Sequence, residues 1–262
     1  MNTNSERHLV QLYVEAKIGC PSSADLVNCV GAFEAFQIDH ADFAALNTAL
    51  NNDAEAMLRK GIQTITQALA GLDAGRESWA LIKLYYATYF FLREGLARDG
   101  NAFLRCKNIY TLDIKHGESP VKRTGKAYRG DHLSTIKLFS DRFLGRDPLL
   151  SQNIDDVAAY DWLRDKREWI NYRRRDFFDG SGTPGFSEAE MSYPDQVNLY
   201  CNDSIPIFCF DPDFAALALP LKRAQFSIAA VEEGPTILAD CIEKIKKSGG
   251  KTKSCRAFLS CF

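Results

Sequence analysis

RESWALIKLYYATYFFLREGLAR, residues 76–98, decides the fold class. The stretch holds no proline and is bounded by Gly75 and Gly100. At helical periodicity Trp79, Ile82, Tyr85, Tyr86, Tyr89, Arg93 and Leu96 fall on one side, while Leu81, Leu84, Ala87, Phe91 and Leu92 spread over the rest. A helix apolar around most of its circumference is buried on several sides. The stretch therefore predicts the central helix of a bundle.

The neighbouring segments extend the pattern. Upstream, Leu58, Ile62, Ile65, Leu69 and Leu72 recur at alternating steps of four and three, predicting a helix over 54–72 with Asn52 or Asp53 at its start. Downstream, residues 100–130 are rich in Gly, Lys and turn formers and read as a long connection with room for a short strand or helix. Further helices are predicted over 131–144, with Asp131 as N-cap, and over 154–178. Gly180-Ser-Gly-Thr-Pro-Gly185 is the clearest break. Beyond it IPIFCF (205–210) alternates loosely as a strand would, Asp211-Pro212-Asp213 opens a helix that Pro220 should interrupt, and another helix covers 234–247. The tail after Ser248-Gly-Gly ends in apolar residues that suit either the chain's own core or a partner. The expected class is mainly α: a helical bundle with N- and C-terminal extensions and a small strand pair in the C-terminal third.

Composition bounds the function. Hydrophobic residues at 46% and charged residues at 25% are ordinary for a globular chain and exclude disordered or collagen-like classes. Acidic and basic residues nearly cancel, 34 against 32, so any nucleic-acid contact must come from a local basic patch. The eight cysteines include no C-x-x-C pair, no histidine lies close to one, and MNTNSERHLV lacks the pattern of a secretory signal. Most are expected to be buried thiols, with Cys255 and Cys261 the most exposed pair, and no metal site is expected. The longest apolar runs fall short of the ~20 residues that span a bilayer, so a soluble, cytoplasmic chain without membrane contact is expected.

No phosphate-binding Gly loop, Gly-x-Ser-x-Gly or His-Glu-x-x-His occurs, and no cofactor is expected. The acidic pairs Asp155/Asp156 and Glu188/Glu190 suit helix starts. Residues 154–178 carry the chemistry. Trp162, Leu163, Trp169, Ile170 and Phe177 share a broad face, and Arg164, Arg167, Glu168, Asn171, Arg174 and Arg175 fall opposite it. Residues 164–176 hold six Arg or Lys against three Asp or Glu, a positive surplus in a net acidic chain. The stripe reads either as a solvated, ion-paired helix face or as an electropositive groove in which arginine forks grip phosphate.

Tyr85-Tyr86-Ala87-Thr88-Tyr89-Phe90-Phe91-Leu92-Arg93-Glu94-Gly95-Leu96-Ala97-Arg98-Asp99-Gly100 resembles the YYAxFxxxRAxLxxxG helix of HEPN-type proteins. Arg167-Glu168-Trp169-Ile170-Asn171-Tyr172 resembles the final-helix motif of that superfamily, which in nuclease members ends in histidine and in another branch reads Arg-x-x-Ala-Asp-Tyr. Between them Asp131-His132-Leu133-Ser134-Thr135-Ile136-Lys137-Leu138-Phe139 is similar to the H-x-x-x-I-x-L-F stretch of the second branch. A looser similarity to YaaC-like proteins covers the extensions.

The resemblance implies an N-terminal helical extension (1–53), a HEPN-like bundle (54–180) and a C-terminal extension (181–262). It also implies a subunit of a prokaryotic toxin–antitoxin or antiviral defence system, a homodimer working beside an ATPase or nucleotidyltransferase. Catalytic roles would fall to Arg167 on the scissile phosphate of RNA, with Asn171 and Tyr172 in support. Nucleic-acid binding, to RNA or DNA, would fall to Arg164, Arg173, Arg174 and Arg175. Tyr172 stands where the nuclease members carry histidine, and a tyrosine hydroxyl titrates near about 10, which makes it a poor base at neutral pH. His132 is a substitute acid/base from the neighbouring helix. Tyr172 also suits a buried position tying helices together through its hydroxyl. Two readings follow: a metal-independent endoribonuclease, or a non-catalytic adaptor that binds a partner protein, a nucleotide or DNA.

Overall fold

The computed structural model describes residues 7–173, 175, 177 and 191–262. The chain is mainly α-helical, with two small antiparallel sheets among the described residues. The predicted break at 180–185 and the Glu188/Glu190 pair lie outside those residues. Two compact units are formed, one within residues 1–57 and 92–139 and the other within 58–91 and 140–262.

In the first unit, α1 (Leu9–Lys17) and α2 (Val30–Ala35) accompany the beginning of α3 (His40–Leu72) and the end of α4 (Glu77–Arg98). α3 is a single long helix that starts at His40, well before the expected residue 54. Its apolar repeat runs on upstream through Leu46, Leu50 and Ala54, all buried. The expected cap Asp53 therefore lies inside α3 and caps another helix: its carboxylate accepts the Leu9 and Val10 N–H groups at 2.8 and 3.1 Å, at the start of α1.

Residues 100–130 are better ordered than a connection. Strands β1 (Asn101–Cys106) and β2 (Asn108–Asp113) pair antiparallel around Lys107, whose φ is +61°, and β3 (Val121–Lys122) adds to β2. Ala102, Leu104 and Cys106 on β1 are buried in one core with Tyr110 and Leu112 on β2 and the following Ile114. This period-two pattern was present in the sequence. The Gln11 side chain pairs with the Arg105 backbone through both its groups, at 2.9 and 2.8 Å, as a neighbouring strand would. α5 (Asp131–Phe143) follows over nearly the expected span, but Asp131 is its first residue rather than its cap, and its carboxylate meets Arg105 at 2.5 Å.

The first turn of α3 is tied to α1 by Asp42, a carboxylate 4% exposed. It accepts hydrogen bonds from the Tyr13 hydroxyl at 2.7 Å and pairs with the Lys17 ammonium at 2.5 Å. Burial pushes the Asp42 carboxyl up, but the bonds from Lys17, Tyr13 and the Asp39 backbone outweigh it and hold the group below its ordinary value. A carboxyl lowered on folding stabilises the native state above its unfolded value near about 4, and that contribution is lost as the pH falls through the folded value. Asp42→Asn should cost about 1–2 kcal/mol at pH 7, since hydrogen bonds to a charged group contribute about 1.5–3 kcal/mol. Urea unfolding followed by circular dichroism from pH 7 to pH 3 checks this: the gap between parent and variant should be constant down to about pH 4 and narrow progressively below it, and a gap that stays constant down to pH 3 would refute the assignment.

In the second unit the remainder of α3 packs against the beginning of α4. Leu58, Ile62, Ile65, Leu69, Leu81, Leu84 and Phe91 are buried. Gly61 permits this approach, because a Cβ there would lie 2.6 Å from the Phe91 ring. The predicted helix over 154–178 begins only at Ala159. Its first residues form a hairpin of β4 (Asn153–Ile154) and β5 (Val157–Ala158) instead. Asp155 and Asp156, at φ +48° and +62°, form the two-residue turn, and the Trp162 indole N–H donates to Asp155 at 3.2 Å. α6 (Ala159–Glu168) then continues into a π-helical turn, Trp169–Arg173.

α7 (Tyr193–Asn202), α8 (Ala215–Ala229), α9 (Gly234–Lys247) and α10 (Lys253–Leu259) complete this unit. α7 packs on α8 and α10, and α9 packs on the same two helices. The expected strand at 205–210 is a 3-10 turn, Ile207–Phe210, so the strand pairs lie earlier in the chain than anticipated. Nor does Pro220 interrupt α8. An internal proline costs about 3 kcal/mol, and the burial of every residue from Ala215 to Leu221 offsets it.

The tail docks on its own core. Asp73 accepts the Ser254 N–H at 3.0 Å and its hydroxyl at 2.5 Å, while Cys255 and Phe258 are fully buried. Cys255 is thus enclosed, against expectation, and burial pushes its thiol up to about 12. Asp147 makes a further tie: one oxygen caps the turn Pro148–Leu150 through the Leu149 N–H at 2.9 Å, and the other meets the Arg223 guanidinium at 2.5 Å. No described helix is long and apolar enough to cross a membrane.

Candidate functional site

The arginine-rich segment is α6 and its π-helical turn. Tyr160, Leu163 and Ile170 face inward as an i, i+3, i+10 set, and Trp162 is buried beside them. Arg167 falls within that set, four residues after Leu163 and three before Ile170. It was expected on the solvated stripe, yet it is only 5% exposed. Its guanidinium carbon lies 4.8 Å from the centre of the Tyr85 ring and 5.9 Å from that of Tyr86, so the first residues of the α4 motif meet Arg167 within the second unit.

Arg167 is held by aromatic faces more than by carboxylates. Its ion pair with Glu168 spans 3.7 Å, and its Nε is buried without a hydrogen-bond partner. Burial pushes the Tyr85 hydroxyl well above its ordinary value, and a hydrogen bond from Arg167 together with its charge works in the opposite direction. Such a guanidinium is a cation–π clamp between α6 and α4.

Arg164 is engaged differently. It pairs with Asp161 at 2.5 Å, with Asp165 at 2.9 Å and with Glu168 at 4.0 Å, so its charge is matched within its own helix. Lys166 lies 4.5 Å from the Trp162 ring centre. The positive surplus counted in the sequence therefore resides mostly beyond Glu168.

There the side chains turn outward. Asn171 is half-buried, whereas Tyr172 is 75% exposed and Arg173 and Arg175 are exposed. An exposed Tyr172 corrects the expectation of a buried hydroxyl tying helices together. Tyr172 lies two residues past the inward-facing Ile170, which places it on the opposite side of the helix. Neither Arg173 nor Arg175 forms an ion pair among the described residues. Arg174 lies outside the described residues. Arg167 and Tyr172 are thus parted, one enclosed and one in solvent. His132 is half-buried in the first turn of α5, within the other unit. Among the described residues no three His, Cys, Asp or Glu side chains are grouped to hold a metal ion.

Exposed Phe177, expected to pack inward, lies with its ring centre 5.0 Å from that of Trp79, itself 48% exposed. The sequence reading missed this pair, and the length of the α4 stripe was its only signal. No protein-family model, curated protein or solved structure matches the chain.

Proposed function

We propose that the chain is a HEPN-like, non-catalytic binding subunit of a prokaryotic defence or toxin–antitoxin system that contacts RNA through Tyr172, Arg173 and Arg175. The observation that carries this reading is the separation of the motif's two ends: Arg167 is buried against Tyr85, while Tyr172 is 75% exposed and is followed by Arg173 and Arg175, which have no carboxylate partner among the described residues. An aromatic ring in solvent stacks on unpaired bases, and neighbouring guanidinium groups meet the phosphates. Cleavage by this motif would need an accessible Arg167 and an acid/base group such as histidine; Arg167 is 5% exposed, and residues 159–177 contain no histidine. In such a system the subunit works in the cytoplasm as a homodimer beside an ATPase or nucleotidyltransferase.

Fluorescence anisotropy with tRNA and with a structured RNA, without metal and over a salt series, tests the proposal. The parent should bind with an affinity that falls as salt rises and should leave the RNA intact. The double substitution Arg173→Glu/Arg175→Glu should weaken binding by at least about tenfold and flatten the salt dependence by about 1–2 phosphate contacts. RNA cleavage by the parent, or binding untouched by the substitutions, would overturn it.

A further inference from the structure

In the second unit, a cleft of about 490 Å³ lies where α3 ends, α4 begins and α9 ends. Both of the ending helices close in the same way. Gly75, at φ +72°, lets the Arg76 N–H reach the Gly71 carbonyl at 2.9 Å, and Gly249, at φ +80°, lets the Gly250 N–H reach the Ile245 carbonyl at 2.9 Å. The chain leaves each turn with a cation, Arg76 after the first and Lys251 after the second. Both line the cleft, and Lys83, half-buried on α4, joins them.

The cleft walls carry no carboxylate, and none of these three cations has an ion pair or side-chain hydrogen bond among the described residues. Burial and the neighbouring Arg76 both push the Lys83 ammonium below its ordinary value. Like charges gathered without counter-charge are stabilised when an anion arrives. Trp79, which also meets Phe177 at 5.0 Å between ring centres, supplies an aromatic surface in the same wall. Gly250 lets the turn pack closely on Ile245, whose side chain a Cβ there would meet at 2.6 Å.

We propose that this cleft binds a nucleotide, with the phosphates on Arg76, Lys83 and Lys251 and the base against Trp79. Its volume lies in the range of small-molecule sites, about 300–1,000 Å³. Cations on separate elements suit a phosphate chain better than a single carboxylate, and the indole suits a planar base. The proposal rests on no part of the RNA reading.

Isothermal titration calorimetry of the full chain with ATP, GTP, CTP and UTP, beside pyrophosphate and adenosine, tests it. At least one nucleoside triphosphate should bind, and pyrophosphate and adenosine should each bind at least about tenfold more weakly, because each keeps half of the contacts. Lys83→Gln and Trp79→Ala should each weaken that triphosphate by at least about tenfold. Arg76→Gln, at an exposed position, should do so with an unchanged melting curve. Absence of heat with all four triphosphates would overturn the site. So would pyrophosphate binding as tightly as the triphosphate, or an affinity that all three substitutions leave unchanged.

Discussion

Replacing Asp147 by alanine will lower the unfolding free energy of the second unit by about 3–5 kcal/mol, the cost of removing one partner from a buried ion pair. Its side chain and that of Arg223 are only 5% and 12% exposed, and they meet at 2.5 Å. Without the carboxylate the enclosed guanidinium loses this ion pair. The same substitution also removes the cap on the turn Pro148–Leu150, which adds about 1 kcal/mol. Asp147→Asn should fall in between, because the amide can still accept the Leu149 N–H. All three tryptophans, Trp79, Trp162 and Trp169, belong to this unit, so urea titration followed by their fluorescence reads its stability. A loss below about 1 kcal/mol would mean that Arg223 finds another partner or water.

Arg167→Ala is the second large effect, a loss of about 3 kcal/mol, as for other buried large-to-small changes. The stem of Arg167 fills space beside Tyr85, and its guanidinium adds a cation–π contact worth up to about 2 kcal/mol when desolvated. Arg167→Met should cost much less, at most about 1 kcal/mol, because methionine keeps the apolar volume. It also removes the buried, unpaired Nε, a group that costs about 1–3 kcal/mol to enclose. The same fluorescence titration compares the two. Equal losses would place the stabilisation in the charge and refute the packing account. Because the alanine variant is destabilised, loss of RNA binding in it would not by itself mark Arg167 as a contact.

Much of the helical framework was legible in order and extent. The segments 76–98, 131–144 and 234–247 match α4, α5 and α9 closely, because long amphipathic or wholly apolar runs bounded by Gly leave few alternatives. The errors have local causes. The helix expected from residue 154 lost its beginning to a hairpin, since the turn is Asp-Asp rather than the more recognisable Asn-Gly. The strand expected at 205–210 showed alternation too short to outweigh a 3-10 turn. Asp53 was read as the cap of the helix next to it in sequence, and only the fold brings α1 to it.

The sequence alone determined the mainly helical class, the burial of most of α4 and the presence of a basic segment near residue 170. These depend on periodicity and composition, which are local properties of the chain. Which arginines face water was decided by tertiary structure. Arg164, Arg167 and Arg173 share one short segment, yet one is matched by carboxylates of its own helix, one lies on Tyr85 of α4, and one is exposed at the end of the π-helical turn. A charge count sums such residues as equals. Burial and the partners each side chain meets separate them, because the free energy of a charge depends on its surroundings.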